Sequence, residues 1–280
     1  MSRPAEKTLK WHEYRQIFLK EPRISQGLAF WAANATELER ARQQFGVPPE
    51  YVVAIIGVET RYGRITGSYR VVDALATLAF DYPAEAGKSR ADFFRRELTE
   101  FLLLAREEGK DPLDLKGSYA GAMGYGQFIP SSYRAYAIDF DGDGLRDIWG
   151  SEADAIGSVA NYFSEHGWRP EEQTVVLTRP GAQARMAEID ALANGSLEPE
   201  QTIAELAQLG LQVGDLDPAA PAALFRMELA DGSEYWLGLQ NFYVITRYNR
   251  SRLYSLAVHQ LAQQIRAEHD MQLAAVQTVR

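Results

Sequence analysis

Apolar residues recur every three or four positions along most of the chain, and this helical spacing gives way to strand-like runs only between about residues 172 and 238. In that interval short β-branched runs alternate with short helical segments, and residues 230–233 carry a hairpin signal. The predicted helices are 11–20, 36–45, 48–63, 71–80, 90–107, 151–165, 185–192, 200–209 and 251–268, and the predicted strands are 174–178, 224–229 and 234–239. The pattern predicts a mainly α protein of the α+β kind.

The same change of pattern predicts the domain organisation. The 280 residues are enough for one large domain with an inserted lobe. We expect a helical core over 1–171, a small mixed α/β lobe over 172–238 and a helical return to the core over 239–280. No apolar run approaches the roughly 20 residues that a bilayer span needs. We therefore expect a soluble chain, whose signal peptide was either never present or removed.

One predicted helix carries a carboxylate on its apolar stripe. Pro48 and Pro49 suit its start and Gly63 suits its end. A buried carboxylate without a partner raises its pKa and becomes a proton donor near neutral pH, which is the profile of a general acid. The alternative is a structural ion pair with Arg61 or Arg64. The stripe consists of Val52, Ile55, Ile56 and Glu59.

The segment 116–133 is rich in glycine and aromatic residues. Four glycines in ten residues exclude a stable helix or strand, so we expect a loop whose backbone closely approaches another group. Its aromatic rings and amide are suited to gripping neutral sugars, although a plain connector is the alternative. These side chains are Tyr119, Tyr125, Gln127 and Tyr133.

Residues 139–150 follow the calcium-loop pattern through its first nine positions. Acids occupy positions 1, 3, 5 and 9, glycine occupies position 6, and the carbonyl of Leu145 would serve at position 7. Position 12, where a bidentate glutamate is expected, is Gly150, so a later acid such as Glu152 or Asp154 has to close the loop. A solvated acidic turn is the alternative. The acids at the four positions are Asp139, Asp141, Asp143 and Asp147.

Composition and charge exclude several other classes of function. The net charge of −9 opposes a phosphate-backbone partner, so nucleic acid is not expected. The sequence has no cysteine, which excludes disulfides, thiol nucleophiles and thiolate metal sites. The four histidines lack metal-ligand spacing, and neither a serine-hydrolase elbow nor a phosphate loop is present.

Five ordered motifs between about residues 11 and 265 resemble the membrane-bound lytic murein transglycosylase B family. They are Gly-Val-Glu-Thr-x-Tyr-Gly at 57–63, the glycine-rich run at 120–133, the aspartate-rich loop, the run from Asp154 to Phe163 and Asn-Phe-Tyr-x-Ile-Thr-x-Tyr-Asn at 241–249. The resemblance implies a lysozyme-like core with a flanking helical subdomain and a small inserted β-containing lobe. It also implies an enzyme of the bacterial periplasm that acts on peptidoglycan glycan strands, with cell-wall synthases as candidate partners. The lipid-bearing N-terminal cysteine of membrane-bound members is absent, as in a soluble paralogue or a chain without its anchor.

The resemblance also implies roles for the matching positions. Glu59 falls on the family's catalytic glutamate. In the family a structural calcium ion sits in a long, EF-hand-like loop, here 139–154, closed by the acid that corresponds to Asp154. Residues 150–152 are one residue longer than the family pattern, which keeps Glu152 as a competing ligand. The implied ligands are Asp139, Asp141, Asp143, Leu145 and Asp154, and the residues in glycan-groove motifs are Ser118, Tyr125, Gln127, Asn241, Tyr243 and Tyr248.

The implied reaction cleaves the MurNAc-β-1,4-GlcNAc bond without water. Glu59 would protonate the leaving oxygen, the N-acetyl group would stabilise the oxocarbenium-like centre, and ionised Glu59 would then take the proton of the sugar's own 6-hydroxyl. The product would carry a 1,6-anhydro end. Two alternatives stay open: a hydrolytic muramidase with a second carboxylate from 73–81, and a non-catalytic, calcium-stabilised peptidoglycan-binding module.

Overall fold

The computed structural model describes residues 5–83 and 89–278, and within 276–278 it describes the backbone alone. The predicted mainly helical class is confirmed, because the described residues form twelve α-helices and only short strands. The helices are α1 (Trp11–Phe18), α2 (Glu21–Ala33), α3 (Ala35–Phe45), α4 (Pro49–Thr60), α5 (Val71–Phe80), α6 (Ala91–Glu107), α7 (Pro130–Tyr136), α8 (Glu152–Glu165), α9 (Met186–Ala193), α10 (Ile203–Gln208), α11 (Gln240–Tyr248) and α12 (Arg252–Thr278). The strands are β1 (Tyr69–Arg70), β2 (Lys116–Gly117), β3 (Val175–Thr178), β4 (Gln201–Thr202), β5 (Pro221–Glu228) and β6 (Ser233–Gly238).

The chain forms two compact units that are not continuous in sequence. The first unit consists of the described residues between Ser25 and Glu165 together with residues 268–278. The second consists of described residues up to Ile24 together with His166–Ala267. No helix in the described ranges has both the length and the apolar character that a membrane crossing requires.

Helix α4 of the first unit is buried around its whole circumference. The five consecutive residues from Val52 to Ile56 are 0% exposed, and together they point in every direction around the helix axis. Helices α3 and α8 both contact α4, and Pro49 begins it at a position where its missing N–H is not needed. The predicted one-sided stripe is therefore wrong for this stretch, which has no solvent-facing side.

The second unit is built on an antiparallel sheet with the strand order β3-β6-β5-β4. Side chains alternate between the two faces of a strand, and in β5 Leu224 joins the apolar cluster of α9 and α10. The next residue, Phe225, joins the cluster of α1 and α12 and stacks on Phe242 of α11 at a centroid distance of 4.7 Å. Both faces of the sheet are covered by helices, which explains why β5 is apolar at consecutive positions.

The sequence pattern does not predict α2, α7 or α11. Helix α2 contains Pro22 in its first turn and Gly27 in its middle, and both residues weaken a helical signal. Helix α7 has seven residues and begins at Pro130, directly after the glycine-rich run. Helix α11 is rich in the β-branched and aromatic residues typical of strands. Helix α12 continues to Thr278, beyond the predicted end at 268.

Candidate active site

Glu59 lies in the last turn of α4 and is partly buried, at the point where the buried helix reaches the surface. The chain then makes a turn of three consecutive residues with left-handed backbone: Arg61 (φ 51°), Tyr62 (φ 59°) and Gly63 (φ 79°). The sequence predicted this conformation at Gly63 alone. A side chain in this region is disfavoured by roughly 1–2 kcal/mol per residue, so surrounding contacts must hold the turn in place.

The hydroxyl of Thr60 provides one of these contacts. Thr60 is 0% exposed, and its oxygen lies 3.1 Å from the carbonyl of Ile56 and 2.9 Å from the carbonyl of Tyr125. The single hydroxyl proton can donate to either carbonyl, while the same oxygen accepts the N–H of Gly63 at 3.0 Å. Thr60 therefore connects the residue after Glu59 to the glycine-rich loop.

Two tyrosine rings fix the same turn by packing on glycines. A Cβ atom at Gly57 would lie 2.6 Å from the hydroxyl of Tyr62, and one at Gly63 would lie 2.1 Å from the ring of Tyr125. The ring of Tyr62 also packs against Phe30, with a centroid distance of 5.7 Å. Side chains at these glycines would displace the rings, so the motif around Glu59 requires glycine for close packing.

The glycine-rich segment is a tightly bonded loop, as predicted, and its backbone approaches the chain that follows Glu59. Strand β2 pairs with β1, and Met123 forms isolated bridges with Gly117 and Phe128. The hydroxyl of Ser118 accepts the N–H of Ala120 at 3.3 Å and that of Ala122 at 3.0 Å. The side-chain amide of Gln127 donates to the carbonyls of Thr66 (3.1 Å) and Gly124 (3.0 Å).

The loop side chains that were predicted to bind sugar therefore make contacts that stabilise the protein itself. Ser118 closes a turn, Gln127 ties the loop to the segment after Glu59, and Tyr125 covers Gly63. Tyr119 is exposed, whereas the hydroxyl of the fully buried Tyr133 donates to the carbonyl of Arg146 at 2.6 Å. Sugar contact by Ser118, Tyr125 and Gln127 stays a prediction.

The aspartate-rich loop brings three of its predicted ligands together. Carboxylate oxygens of Asp139, Asp141 and Asp143 all lie within 4.8 Å of one another. Backbone N–H groups partly offset their mutual repulsion: Asp139 accepts those of Gly142 at 2.8 Å and Gly144 at 2.9 Å. This clustering of hard oxygen donors suits a cation such as calcium.

Asp154 and Glu152, the two candidates for closing this loop, point to different partners. Asp154 is 0% exposed and accepts the N–H groups of Phe140 at 2.7 Å and Asp147 at 2.7 Å, one on each oxygen. Burial raises the pKa of Asp154, although these backbone donors oppose that shift. The carboxylate of Glu152 instead accepts the amide of Asn34 at 2.7 Å and, at a long 3.5 Å, the hydroxyl of Tyr125.

Glu152 was considered from the sequence only as a metal ligand, and its contact with Tyr125 was missed. Burial and the Glu152 carboxylate together raise the pKa of the Tyr125 phenol, so the ring stays protonated at neutral pH and donates the hydrogen bond. The backbone N–H of Tyr125 donates to the carbonyl of Ile148 at 3.0 Å. Tyr125 is thus held by the aspartate-rich loop, by the first turn of α8 and by Thr60.

Glu97 of α6 is another buried carboxylate, and the sequence did not single it out. It is 5% exposed and accepts the backbone N–H of Ser131 at 2.9 Å and its hydroxyl at 2.8 Å. Its spacing from Phe94 and Phe101 is the same stripe signal that singled out Glu59. At Glu97 the carboxylate stabilises the first turn of α7, so the stripe signal alone does not identify a catalytic acid.

The remaining predicted glycan-groove residues lie on α11 in the second unit. Asn241 is 0% exposed, and its amide is bonded to the backbone N–H and carbonyl of Arg169, both at 2.8 Å, and to the carbonyl of Glu172 at 3.0 Å. Tyr243 and Tyr248 are each partly buried. Asn241 therefore fixes the segment after α8, whereas the two tyrosine rings remain partly accessible.

Comparison with known proteins places these features in a family. The sequence-family model described as the transglycosylase SLT domain matches residues 1–263 of this chain. The chain is 48% identical to membrane-bound lytic murein transglycosylase B of Escherichia coli K12 over 256 residues, which are 91% of this chain and 67% of that protein. Soluble lytic transglycosylase SltB1 of Pseudomonas aeruginosa superposes with a TM-score of 0.87 at 52% identity, covering 95% of this chain and 86% of the other. Escherichia coli Slt35 in complex with calcium superposes with a TM-score of 0.83 at 48% identity, covering 92% and 79%.

These matches extend over almost the whole described chain, and they include both units. They confirm the predicted resemblance and the lysozyme-like fold class, and the matching relatives are enzymes. The chain belongs to the transglycosylase SLT-domain family and is a lytic transglycosylase of the same type as these relatives.

Proposed function

We propose that the enzyme cleaves the MurNAc-β-1,4-GlcNAc bond of peptidoglycan non-hydrolytically, with Glu59 as the single acid and base. The observation that carries the proposal is the placement of Glu59. It occupies the last turn of a helix in which the residues from Val52 to Ile56 are 0% exposed, and the next residue, Thr60, is bonded to two neighbouring segments. A carboxylate held at a fixed surface position suits repeated proton transfer to a bound substrate.

The proposed reaction uses Glu59 twice. Protonated Glu59 donates its proton to the glycosidic oxygen as the bond to the muramic C1 breaks, and the released strand leaves with a new hydroxyl group. The N-acetyl group stabilises the positive charge at C1. Ionised Glu59 then takes the proton of the 6-hydroxyl as that oxygen bonds to C1, which restores the acid and gives a 1,6-anhydro end. Because nucleophile and electrophile belong to one ring, no water-activating carboxylate is needed.

The glycan strand is proposed to contact Ser118, Tyr125, Gln127, Tyr243 and Tyr248. Tyr125 and the two α11 tyrosines offer partly accessible rings suited to sugar faces. For Asn241 the buried amide supports an indirect role, since all its observed bonds hold the backbone of Arg169 and Glu172. The resemblance further supports a periplasmic location, and cell-wall synthases stay predicted partners.

We also propose a structural calcium ion in the aspartate-rich loop. The donor set fits, because Asp139, Asp141 and Asp143 already present clustered oxygens and the carbonyl of Leu145 follows them in sequence. One oxygen of Asp154 accepts a single backbone N–H and so keeps acceptor capacity to close the site. The bound cation would neutralise the clustered carboxylates, and the residues of the loop would then hold Tyr125 through the carbonyl of Ile148.

Replacement of Glu59 by glutamine tests the catalytic assignment. We expect Glu59→Gln to lower turnover by about 10²–10⁴-fold or more without loss of folding, because the amide keeps the shape but cannot exchange a proton. The matched control is Glu97→Gln, the same change at a buried carboxylate that stabilises α7. It should lower the melting temperature yet retain turnover where the protein is folded. Activity of Glu59→Gln within about tenfold of the wild type would refute the assignment.

The product distinguishes the proposal from its two alternatives. Digestion of purified sacculi in heavy-oxygen water should release fragments with 1,6-anhydro ends, lighter by one water than hydrolysed fragments and free of label. Reducing, labelled ends would instead demonstrate a muramidase with a second carboxylate. Intact sacculi that retain the protein in a calcium-dependent manner would demonstrate a binding module.

A further inference from the structure

The two-stranded ribbon of β1 and β2 carries two tyrosine rings that the proposed glycan contacts do not include. Tyr69 lies in β1 and is 59% exposed, and Tyr119 follows β2 and is 55% exposed. Neither side chain forms a hydrogen bond or a ring contact with any described residue. Single exposed apolar residues are common, but two large aromatic side chains on one small element are typical of a surface that binds a ligand or a partner.

Strand pairing brings the two tyrosines close together on the ribbon. Tyr69 is the register partner of Gly117, and Tyr119 lies two positions after Gly117. There the chain turns, and the N–H of Gly121 donates to the carbonyl of Ser118 at 3.0 Å. Diagonal neighbours lie roughly 7–8 Å apart in a regular antiparallel pair, which places both rings within reach of one oligosaccharide.

The backbone of the ribbon is held by close packing. Gly67 has a left-handed φ of 98°, and a Cβ atom there would lie 2.1 Å from the carbonyl oxygen of Gly117. The indole N–H of Trp149 donates to the carbonyl of Lys116 at 3.0 Å. Rings carried by a fixed backbone lose little conformational entropy on binding, and tyrosine has only two side-chain torsions to immobilise.

The ribbon adjoins two of the proposed glycan contacts. Ser118 directly precedes Tyr119 in the chain. The side-chain amide of Gln127 donates to the carbonyl of Thr66 at 3.1 Å, shortly before Tyr69. A glycan strand bound at Ser118 and Gln127 would therefore reach the two tyrosines without leaving the first unit.

We propose that Tyr69 and Tyr119 form a distal sugar-binding site on which N-acetylhexosamine rings of the glycan strand stack. This site rests on the proposed function, and it takes sugars beyond those that contact Ser118 and Gln127. A hexosamine ring presents C–H groups that pack on an aromatic face, and its hydroxyl groups can bond to a free phenol. The site would add affinity for strands long enough to extend from Glu59 to the ribbon.

Fluorine nuclear magnetic resonance of the full chain labelled with fluorotyrosine tests this site directly. The sequence has 14 tyrosines, and Tyr69→Phe and Tyr119→Phe identify the two signals. Titration with chitohexaose, a hexamer of β-1,4-linked N-acetylglucosamine, should shift both signals saturably. Tyr69→Ala and Tyr119→Ala should each weaken binding of the hexamer by about three- to tenfold, on the scale of a stacked aromatic pair.

Two controls separate stacking from a loss of folding. Tyr69→Phe and Tyr119→Phe keep the aromatic faces and should retain most of the affinity. Phe80→Ala removes a different aromatic side chain of the same unit, 73% exposed at the end of α5, and should bind the hexamer as the wild type does. Because both tyrosine side chains are mostly exposed, the alanine variants should keep the circular dichroism spectrum of the wild type.

Three results would overturn the proposal. They are no shift of either signal at about 10 mM hexamer, equal affinity of the double alanine variant, and signals that move with protein concentration in the absence of sugar. The last result would show that the ribbon pairs with a second copy of the chain. Binding of the hexamer is measured apart from cleavage of sacculi. Reducing, labelled ends from sacculi would refute the proposed reaction and leave the hexamer result standing, whereas an anhydro product without hexamer binding would refute the distal site alone.

Discussion

The glycine-rich loop and the aspartate-rich loop both hold Tyr125, but they use glycine for different reasons. In the glycine-rich loop a Cβ at Gly124 would lie 2.4 Å from the carbonyl of Ile148, and one at Gly121 would lie 2.5 Å from Leu75. In the aspartate-rich loop, Gly142 and Gly144 also have positive φ, yet an added Cβ would meet nothing within 4 Å. The first loop needs glycine for close packing, and the second needs it only for backbone conformation.

The two loops therefore depend on different interactions for their stability. The glycine-rich loop carries no carboxylate and is held by packing and backbone hydrogen bonds, so ions should affect it only indirectly. The aspartate-rich loop clusters carboxylates and should depend on a cation. Tyr125 belongs to the first loop and is bonded to Ile148 of the second. Substitutions in the two loops should therefore differ in the type of their effect, which is loss of packing in one loop and loss of cation binding in the other, and also in its magnitude.

The largest expected effect comes from a matched pair of alanine substitutions. Gly124→Ala should destabilise the protein by about 2–5 kcal/mol, because roughly 1–2 kcal/mol of backbone strain adds to about 1–3 kcal/mol of overpacking. Gly142→Ala introduces the same strain without a clash and should lose only about 1–2 kcal/mol. Chemical denaturation in the presence of chelator measures both. Equal losses would contradict the assigned difference between the loops.

Calcium should stabilise the protein through the second loop. At about 100 times its dissociation constant a ligand adds roughly 2.7 kcal/mol to the free energy of unfolding. We expect calcium to raise the melting temperature, and Asp141→Ala or Asp143→Ala to abolish that increase. Asp92→Ala, which removes an exposed acid of α6 paired with Arg95, is the control and should leave it intact. Chelation that stopped catalysis while circular dichroism showed a folded protein would contradict a purely structural role.

A smaller effect should distinguish Glu152 from Asp154. Glu152→Gln weakens the bonds to Asn34 and Tyr125 and should destabilise the protein by about 1 kcal/mol, as for one hydrogen bond. It should leave the calcium-induced rise in melting temperature unchanged, whereas Asp154→Asn should reduce it. If Glu152→Gln removed the calcium effect, Glu152 would be the closing ligand. Tyr125→Phe in a double-mutant cycle measures the contribution of the long 3.5 Å bond.

The local hydrophobic pattern was sufficient to predict most secondary-structure elements and those parts of the candidate site that are contiguous in sequence. Val71–Phe80 matches its predicted range, and Glu59 and the aspartate-rich loop were recognised because their residues are adjacent in sequence. Asp154 was named as the closing acid through the resemblance, and its direct role as a ligand stays a prediction.

The sequence could not predict the contacts that form between segments distant along the chain. Thr60 and Tyr125 are 65 positions apart, and Asn34 and Glu152 are 118 apart, so no spacing rule connects them. Residues 5–24 belong to the second unit although they lie far from the rest of it in sequence, and a change of hydrophobic pattern along the chain does not reveal this.

The turn after Glu59 has a consequence for engineering the thermal tolerance of this enzyme. Arg61 and Tyr62 have left-handed backbone although neither is glycine. Asparagine adopts this conformation more readily than arginine, and Arg61 is exposed, so Arg61→Asn should raise the melting temperature slightly, with less than about 1 kcal/mol gained. Differential scanning calorimetry measures the shift, and an unchanged or lower midpoint would show that Arg61 makes a compensating contact. A thermostability screen should therefore include a position two residues from Glu59, the proposed catalytic acid, where mutagenesis is usually avoided.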